Sequence, residues 1–463
     1  MTKKTIIWLR NDLRLSDNGA LDYAIKNNHE LLFLYIFDQS FSIGGASRWF
    51  LHQALDALQQ DIKQKYGADL LINAGNPQEI LENLIEKYQI DSIVWNRVYE
   101  PEAILRDTKL KEHFKQKELE VKTFNSSLLF EPSKIQNLAG SYFKVFTPFW
   151  RKCLTQINYI EEPHKIPKSL NVIKVVEGEG VDLKDLNLLP KNPNWAKSWN
   201  QLYQVSEESA HDLTEKFMKN RMTNYKEGRD FPATNNTSFL SPYLHFGLIS
   251  PKQIYFKSLP FVGNSGSAHF LSEIGWREFS YHLLYHFPQL PTNNFKSKFD
   301  GFEWDNNKED LEKWQKGMTG FPLIDAGMRQ LYQTGWMHNR VRMVVASFLT
   351  KNLLIDWRIG KEWFDDCLVD ADLAANSASW QWVAGSGADA APYFRIFNPI
   401  TQSEKFDSKG AYIRKWVPEL ADFSDKEIHC PKDRSKYPEA MIDLKFSRNR
   451  ALAIYRNVSP QTI

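Results

Sequence analysis

Three segments set residues of unusual type on single helix faces. In SEIGWREF, Glu273, Trp276 and Arg277 stand at i, i+3 and i+4 and share one face. A carboxylate, an indole and a guanidinium on one stripe suit a wall that combines charge with a stacking surface. The plainer alternative is a surface Glu–Arg pair beside a half-buried Trp. In GWMHNRVRM, Asn339 and Met343 are i, i+4, with Arg340 and Arg342 flanking Asn339. Asn offers a donor and an acceptor to the edge of a flat heterocycle, and Met gives adaptable apolar contact. That pair could equally be core or cap. The third segment, DADLAANSASWQWVAGSGADAAPYFRIFNP (370–399), holds Asp370, Asp372, Asn376, Trp380, Trp382 and Arg395. If LAANSASWQWVAG is helical, Asn376 and Trp380 share a face, and Trp382 lies about 200° round from Trp380 at about 100° per residue. One indole then faces an interior site with Asn376 and the other a different surface.

Other motifs carry less. His282 and His286 sit at i, i+4 in HLLYH, but no Glu lies between them and no third ligand is near, so no metal is expected. GSGADA at 385–390 matches a loose G-x-G-x-x-A yet follows a helical pattern where a dinucleotide fingerprint would follow a strand. No nucleophile-elbow or Ser-His-Asp signature is present. Cys153, Cys367 and Cys430 form no CxxC pair, which suits a reducing cytoplasm and no disulfide framework.

The elements that must position these residues can be read from periodicity. TIIWLR, LLFLYIFD, DLLINAG and SIVWNR are short apolar runs of the buried parallel-strand kind, with amphipathic stretches such as SRWFLHQALDALQQDIKQKYG between them. This βαβ pattern predicts a doubly wound α/β domain over 1–130. WLRNDLRLSDNGAL follows the first strand where a G-x-G-x-x-G would stand, so the usual dinucleotide fingerprint is missing and a nicotinamide-dependent oxidoreductase has little support. Residues 131–200, with Pro163, Pro167, Pro190 and Pro193, read as an inter-domain linker. From 201 to 463 helical patterns follow one another, so an all-α domain is expected.

Composition bounds the rest. With 42% apolar and 25% charged residues the 463-residue chain is folded and long enough for two or three domains. Fifteen Trp, more than core filling alone requires, suit equally a Trp-rich core and stacking on rings or electron transfer. The net charge of +2 is neutral on partners; nucleic acid would need a local basic patch. The N-terminal apolar run is too short for a signal peptide, and no run approaches membrane-spanning length.

Several long stretches together resemble the photolyase/cryptochrome family: WLRNDLRLSDNGAL, TSFLSPYLHFGLISP, GWREF, TGFPLIDAGMRQLYQTGWMHNRVRM, LLIDWRIG and DADLAANSASWQWVAGSGADAAPYFRIFNPITQSEKFD. The resemblance spans most of the chain, is dense over 220–420, and in detail is to microbial photolyases that repair cyclobutane pyrimidine dimers. It implies an α/β antenna domain and a helical domain holding U-shaped FAD, active as FADH⁻, which passes an electron to a flipped-out dimer when excited by light. It further implies that Tyr225, Thr237, Ser238, Leu240 and Ser241 hold phosphates, that Arg277, Asp370 and Asp372 anchor the flavin, and that Asn376 lies beside its N5. Trp380, Trp357 and Trp304 match the chain that brings in an electron from the surface. Glu273, Trp276, Asn339, Met343 and Trp382 match the dimer pocket. Arg229, Arg340, Arg395, Gln402 and Lys405 match the DNA-binding surface, where Trp276 and Asn339 also belong.

UV-damaged DNA is the partner this implies, bound by a cytoplasmic monomer with no metal and no membrane association. Base-flipping enzymes gain selectivity because a damaged pair costs less to extrude. The (6-4) photolyases usually carry His where Asn339 and Met343 stand, so cyclobutane dimers are expected. A cryptochrome-type photoreceptor is the other reading; Asn376, the intact dimer pocket and the lack of a long polar tail after SRNRALAIYRNV favour repair. Around NRVYEPEAILRD the chain lacks the Asn-Glu pair with which one subgroup holds a folate. A folate bound differently, a deazaflavin, a second flavin or no antenna all remain open.

Overall fold

The computed structural model describes residues 2–390 and 394–458. Its N-terminal part is a parallel sheet of β1 (Lys4–Leu9), β2 (Glu30–Phe37), β3 (Leu70–Ala74), β4 (Ser92–Asn96) and β5 (Glu120–Phe124), in the order β3-β2-β1-β4-β5. Helices α1 (Gly19–Lys26), α2 (Gly45–Tyr66), α3 (Pro77–Tyr88) and α4 (Pro101–Gln116) make the crossovers. Strand β1 is apolar from Ile6 to Leu9 because it is covered on both sides: Ile7 and Leu9 enter one apolar cluster, Ile6 and Trp8 another. The direction of winding reverses between β1 and β4, the point where doubly wound sheets take ligands. The edge strand β5, EVKTF, buries only Val121 fully.

The segment expected to link the two parts contributes structure of its own. Helix α5 (Phe146–Leu154) lies against the long helix Ser265–His286, and the two-residue β6 (Asn171–Val172) pairs with the start of β2. Gly275 allows the close approach of α5, since a Cβ there would stand 2.7 Å from the Trp150 indole. Beyond β6 the described elements are all helical, and none is long and apolar enough to cross a membrane.

The loop after β1, in the place of a phosphate-binding turn, clasps the helices instead. Glu207, at the start of helix Glu207–Asn220, accepts the Leu15 and Ser16 backbone N–H groups at 2.7 and 2.9 Å and the Ser16 hydroxyl. Arg14 donates to Gly247 O at 2.8 Å and to Ser126 O at 2.7 Å. Asp17 accepts from the Ser250 hydroxyl at 2.5 Å and pairs with Lys252 at 2.6 Å. One apolar cluster continues through this seam, from Ile7 and Phe50 to Phe217 and Phe270. The halves are therefore held by charge-assisted bonds inside a shared core.

Glu207→Ala should strand two buried backbone donors and lower unfolding free energy by about 3 kcal/mol. Urea unfolding checks this; a loss below about 1 kcal/mol would mean water reaches the seam.

Candidate functional site

A cavity of about 500 Å³ opens among the helices. Helix Ser265–His286, capped by Asn264 on the N–H groups of Gly266 and Ser267, turns Glu273, Trp276 and Arg277 into it. Helix Asn339–Ser347 supplies Asn339 and Met343, and helix Leu373–Ala384 supplies Asn376, Trp380 and Trp382. Tyr225, Ser238, Leu240 and Ser241 form part of the wall, as do Arg229, Asp370 and Asp372. Of the residues expected to hold a cofactor, Thr237 alone is absent from the lining; its hydroxyl is buried beside Ser238 without a protein partner.

Asp372 organises the inner end. It caps helix Leu373–Ala384 by accepting Ala375 N–H at 2.8 Å, accepts the Tyr281 hydroxyl at 2.5 Å, and stands 3.7 Å from His245 Nδ1. Burial alone would raise its pKa, but His245, Arg277 and Tyr281 outweigh burial and hold it at about 2. Asp370 receives Arg342 through both oxygens, at 2.9 and 3.1 Å. The Asn376 amide nitrogen donates to Asp365 Oδ1 at 2.6 Å and to Lys361 O at 3.2 Å. Since neither partner can donate, the orientation of the amide is forced and Oδ1 is the atom left to accept. The buried His245 Nδ1, 3.7 Å from Asp372 and with no hydrogen-bond partner in the protein, lines the cavity and is what a polar group there would satisfy. The donor set thus fits a cofactor with phosphate oxygens at the hydroxyl-lined side and ring N–H groups near Asn376 and Asp372.

The outer end mixes aromatic and charged groups. Phe146 from α5 stacks on Trp276 with centroids 3.9 Å apart and planes 9° from parallel, so it covers one face of that indole. Glu273 pairs with Arg229, which also contacts His269 at 3.1 Å. Arg229 is therefore a half-buried part of the cavity wall. Arg340 pairs with Asp230 at 2.8 Å and lies 4.3 Å over the Phe406 ring. Gln402 and Lys405 share helix Pro399–Phe406 with that ring, and Arg395 lies just before the helix; none of these four lines the cavity.

The two indoles of the Trp-x-Trp pair diverge. Trp380 is buried against Phe364 and Trp314, at 5.0 and 6.4 Å. Trp382 is half-buried and donates its indole N–H to Asp389 O at 3.2 Å. Trp357, buried with its N–H on Asn294 at 3.0 Å, belongs to the same apolar cluster as Trp380, and Trp304 packs against that cluster. Gly385, the first glycine of GSGADA, stops the helix at φ +98°. The HLLYH histidines also have structural partners: His282 Nε2 accepts Phe143 N–H at 3.0 Å, and burial keeps that ring neutral, with a pKa of about 3. His286 contacts Pro132 O at 3.2 Å. Among the described residues no His, Cys, Asp and Glu side chains gather as a metal-binding group.

Sequence reasoning named Arg342 beside Asn339 without a role for it, and assigned none to His245, Tyr281 or Phe146. Arg342 stands i, i+3 from Asn339, and His245 i, i+4 from Ser241. Tyr281 stands i, i+4 from Arg277, which lies 5.0 Å over its ring, whereas Phe146 acts across elements and leaves no local signal.

Comparison with known proteins aligns with this geometry. Residues 270–457 match a family model described as the FAD binding domain of DNA photolyase, and residues 5–169 match one described as DNA photolyase. A deoxyribodipyrimidine photo-lyase of Agrobacterium fabrum is 44% identical, over 100% of this chain and 99% of that protein. Cryptochrome-2 of Arabidopsis thaliana is 34% identical over 94% of this chain and 73% of its own length. Among solved structures, a bacterial class III photolyase from Agrobacterium tumefaciens superposes with a TM-score of 0.95 at 44% identity, covering 99% of this chain and 98% of that one. An archaeal photolyase from Sulfolobus tokodaii with two FAD molecules superposes with a TM-score of 0.84 at 30% identity, covering 98% and 100%.

Asp372→Asn keeps a capping side chain and removes the charge. Held near 2 against an ordinary 3.8, the carboxylate contributes about 2 kcal/mol above pH 4, and this is lost as pH falls through 2. The variant should be less stable by that amount at pH 7, with the gap closing between pH 4 and 2. A gap unchanged down to pH 2 in denaturant titrations would contradict the assignment.

Proposed function

Because the chain belongs to the DNA photolyase family, we propose that it repairs cyclobutane pyrimidine dimers in DNA under light, by electron transfer from reduced FAD to a dimer flipped into the cavity. The observation that carries this reading is that one cavity collects both sets of residues: Ser238, Arg277, Asp372 and Asn376 for a cofactor, and Glu273, Trp276, Asn339, Met343 and Trp382 for a damaged base pair. FAD, when bound and reduced, supplies a light-excitable one-electron donor. The chain supplies everything that holds and selects. Hydroxyls of Tyr225, Ser238 and Ser241 would take phosphate oxygens, and Asn376 Oδ1 would accept an N–H that only the reduced ring presents, favouring that state.

At the outer end, Glu273 and Asn339 offer an acceptor and a donor–acceptor pair to pyrimidine edges. The uncovered face of Trp276 and the indole of Trp382 offer stacking surfaces to rings extruded from the helix. Arg340, Arg395, Gln402 and Lys405 would contact backbone phosphates, giving salt-dependent affinity without sequence preference. Trp304, Trp357 and Trp380 would relay an electron inward when the cofactor is oxidised. A second chromophore of folate, deazaflavin or flavin type would have its place at the carboxyl ends of β1 and β4, where Arg10 and Arg106 lie 4.9 and 5.2 Å over Trp8. The cryptochrome reading keeps some support from the plant relative; it predicts the same photoreduction and no repair.

Incubating the reduced protein with oligonucleotides carrying a thymine cyclobutane dimer or a (6-4) product, in blue light and in darkness, separates these readings. Light-dependent restoration of the cyclobutane substrate alone is expected; restoration of neither favours the photoreceptor, and of the (6-4) product alone the other photolyase class. Trp380→Phe should slow photoreduction of oxidised cofactor while repair by pre-reduced protein stays close to that of the unsubstituted chain. An equal fall in both would make Trp380 structural or substrate-facing.

A further inference from the structure

A second, smaller pocket of about 110 Å³ lies on the far side of Trp382; Trp382 and Val383 border both it and the main cavity. Four cationic residues, Lys296, Lys298, Lys351 and Arg395, are among its lining, and no carboxylate is among the described lining residues. Lys351 is 3% exposed. It sits on a π-helical turn, Phe348–Asn352, that continues helix Asn339–Ser347 and directs its side chain inward. One of its three N–H groups goes to Arg395 O, and the ammonium stands 4.5 Å from the Phe394 ring. Phe394 in turn stacks on Tyr455 at 4.5 Å, which fixes the apolar side of the pocket.

Cations gathered this way weaken one another. Burial first, then Arg395, pushes the Lys351 pKa down to about 7, and burial followed by Lys298 lowers that of Lys296. An anion between them would reverse both effects, because it converts mutual repulsion into shared attraction at low dielectric. A pocket of about 110 Å³ has room for a tetrahedral anion.

We propose that this pocket seats one backbone phosphate of the lesion-bearing strand, held by Lys296, Lys298, Lys351 and Arg395, while the damaged pair lies on the other side of Trp382. The proposal rests on the DNA-repair reading above and deepens it: the strand would be pinned within one side chain's width of the flipped bases. Such a phosphate positions without reading sequence.

The test is dark binding of the full chain to a duplex carrying one cyclobutane thymine dimer, followed by fluorescence anisotropy. Methylphosphonate linkages, which are neutral, replace the phosphates flanking the dimer one at a time, for the unsubstituted protein and for a Lys296→Gln, Lys298→Gln double variant. Both lysines are less buried than Lys351, so folding should be retained, and circular dichroism checks it. One linkage should weaken native binding by about tenfold, the cost of a lost charge-assisted hydrogen bond. At that linkage the double variant should show no further loss, and the slope of log affinity against log salt should fall by about 1 in the variant, the share of a single phosphate. Losses that multiply at every linkage, with lesion preference intact, would overturn this inference alone. A variant loss identical at all linkages and reproduced by inorganic phosphate at fixed ionic strength would assign the pocket to a free anion and overturn it too. Absence of any lesion preference in the unsubstituted protein would overturn the repair reading and this one with it.

Discussion

The Asp372 carboxylate holds Ala375 N–H at 2.8 Å and the Tyr281 hydroxyl at 2.5 Å, with His245 3.7 Å away. Those contacts join the helix that carries Asn376, Trp380 and Trp382 to the helix that carries Glu273, Trp276 and Arg277, and to the short helix Ser241–His245. A buried carboxylate is costly unless surrounded in this way. Its position leaves little freedom to the two helices that form opposite walls of the cavity. The walls must keep their separation for a ring system to enter and for the groups meant to touch it to stay within hydrogen-bond reach.

The same logic recurs outward. Asn376 is turned by Asp365 and Lys361, Asp370 is held by Arg342, and Trp276 is set flat by Phe146 from the segment between the two halves. That segment is itself placed by the seam at Glu207, Arg14 and Asp17 and by the space Gly275 leaves for Trp150. Asn376, Asp370 and Trp276 thus each have a second residue that limits rotamer freedom before a ligand arrives. Preorganisation of this kind lowers the entropic cost of binding. It also accounts for the polarity of a cavity whose walls are otherwise apolar.

How much of this was legible in sequence depended on range. The strands β1 to β4 announce themselves as apolar runs, whereas β5 does not: EVKTF is an edge strand with Lys122 exposed, and its identity comes from pairing with β4. The loop after β1 could be excluded as a dinucleotide turn, but its clasping role depends on partners about 190 to 240 residues away. Within the site, sets on one helix were visible through i, i+3 and i+4 spacing, and the divergence of Trp380 from Trp382 followed from the helical turn alone. Contacts across helices, Arg342 to Asp370 and Tyr281 to Asp372, have no period to betray them. The pocket behind Trp382 was invisible for the same reason, since Lys296, Lys351 and Arg395 come from three separate segments.

The central claim is that one cavity brings a reduced flavin and a pyrimidine dimer close enough for direct electron transfer. The most direct measurement is the excited-state lifetime of the bound reduced flavin, followed by time-resolved fluorescence with dimer-containing and undamaged DNA of the same sequence. The lifetime should shorten on binding the dimer and stay unchanged with undamaged DNA. Equal lifetimes in the two complexes, at saturating DNA, would contradict the account.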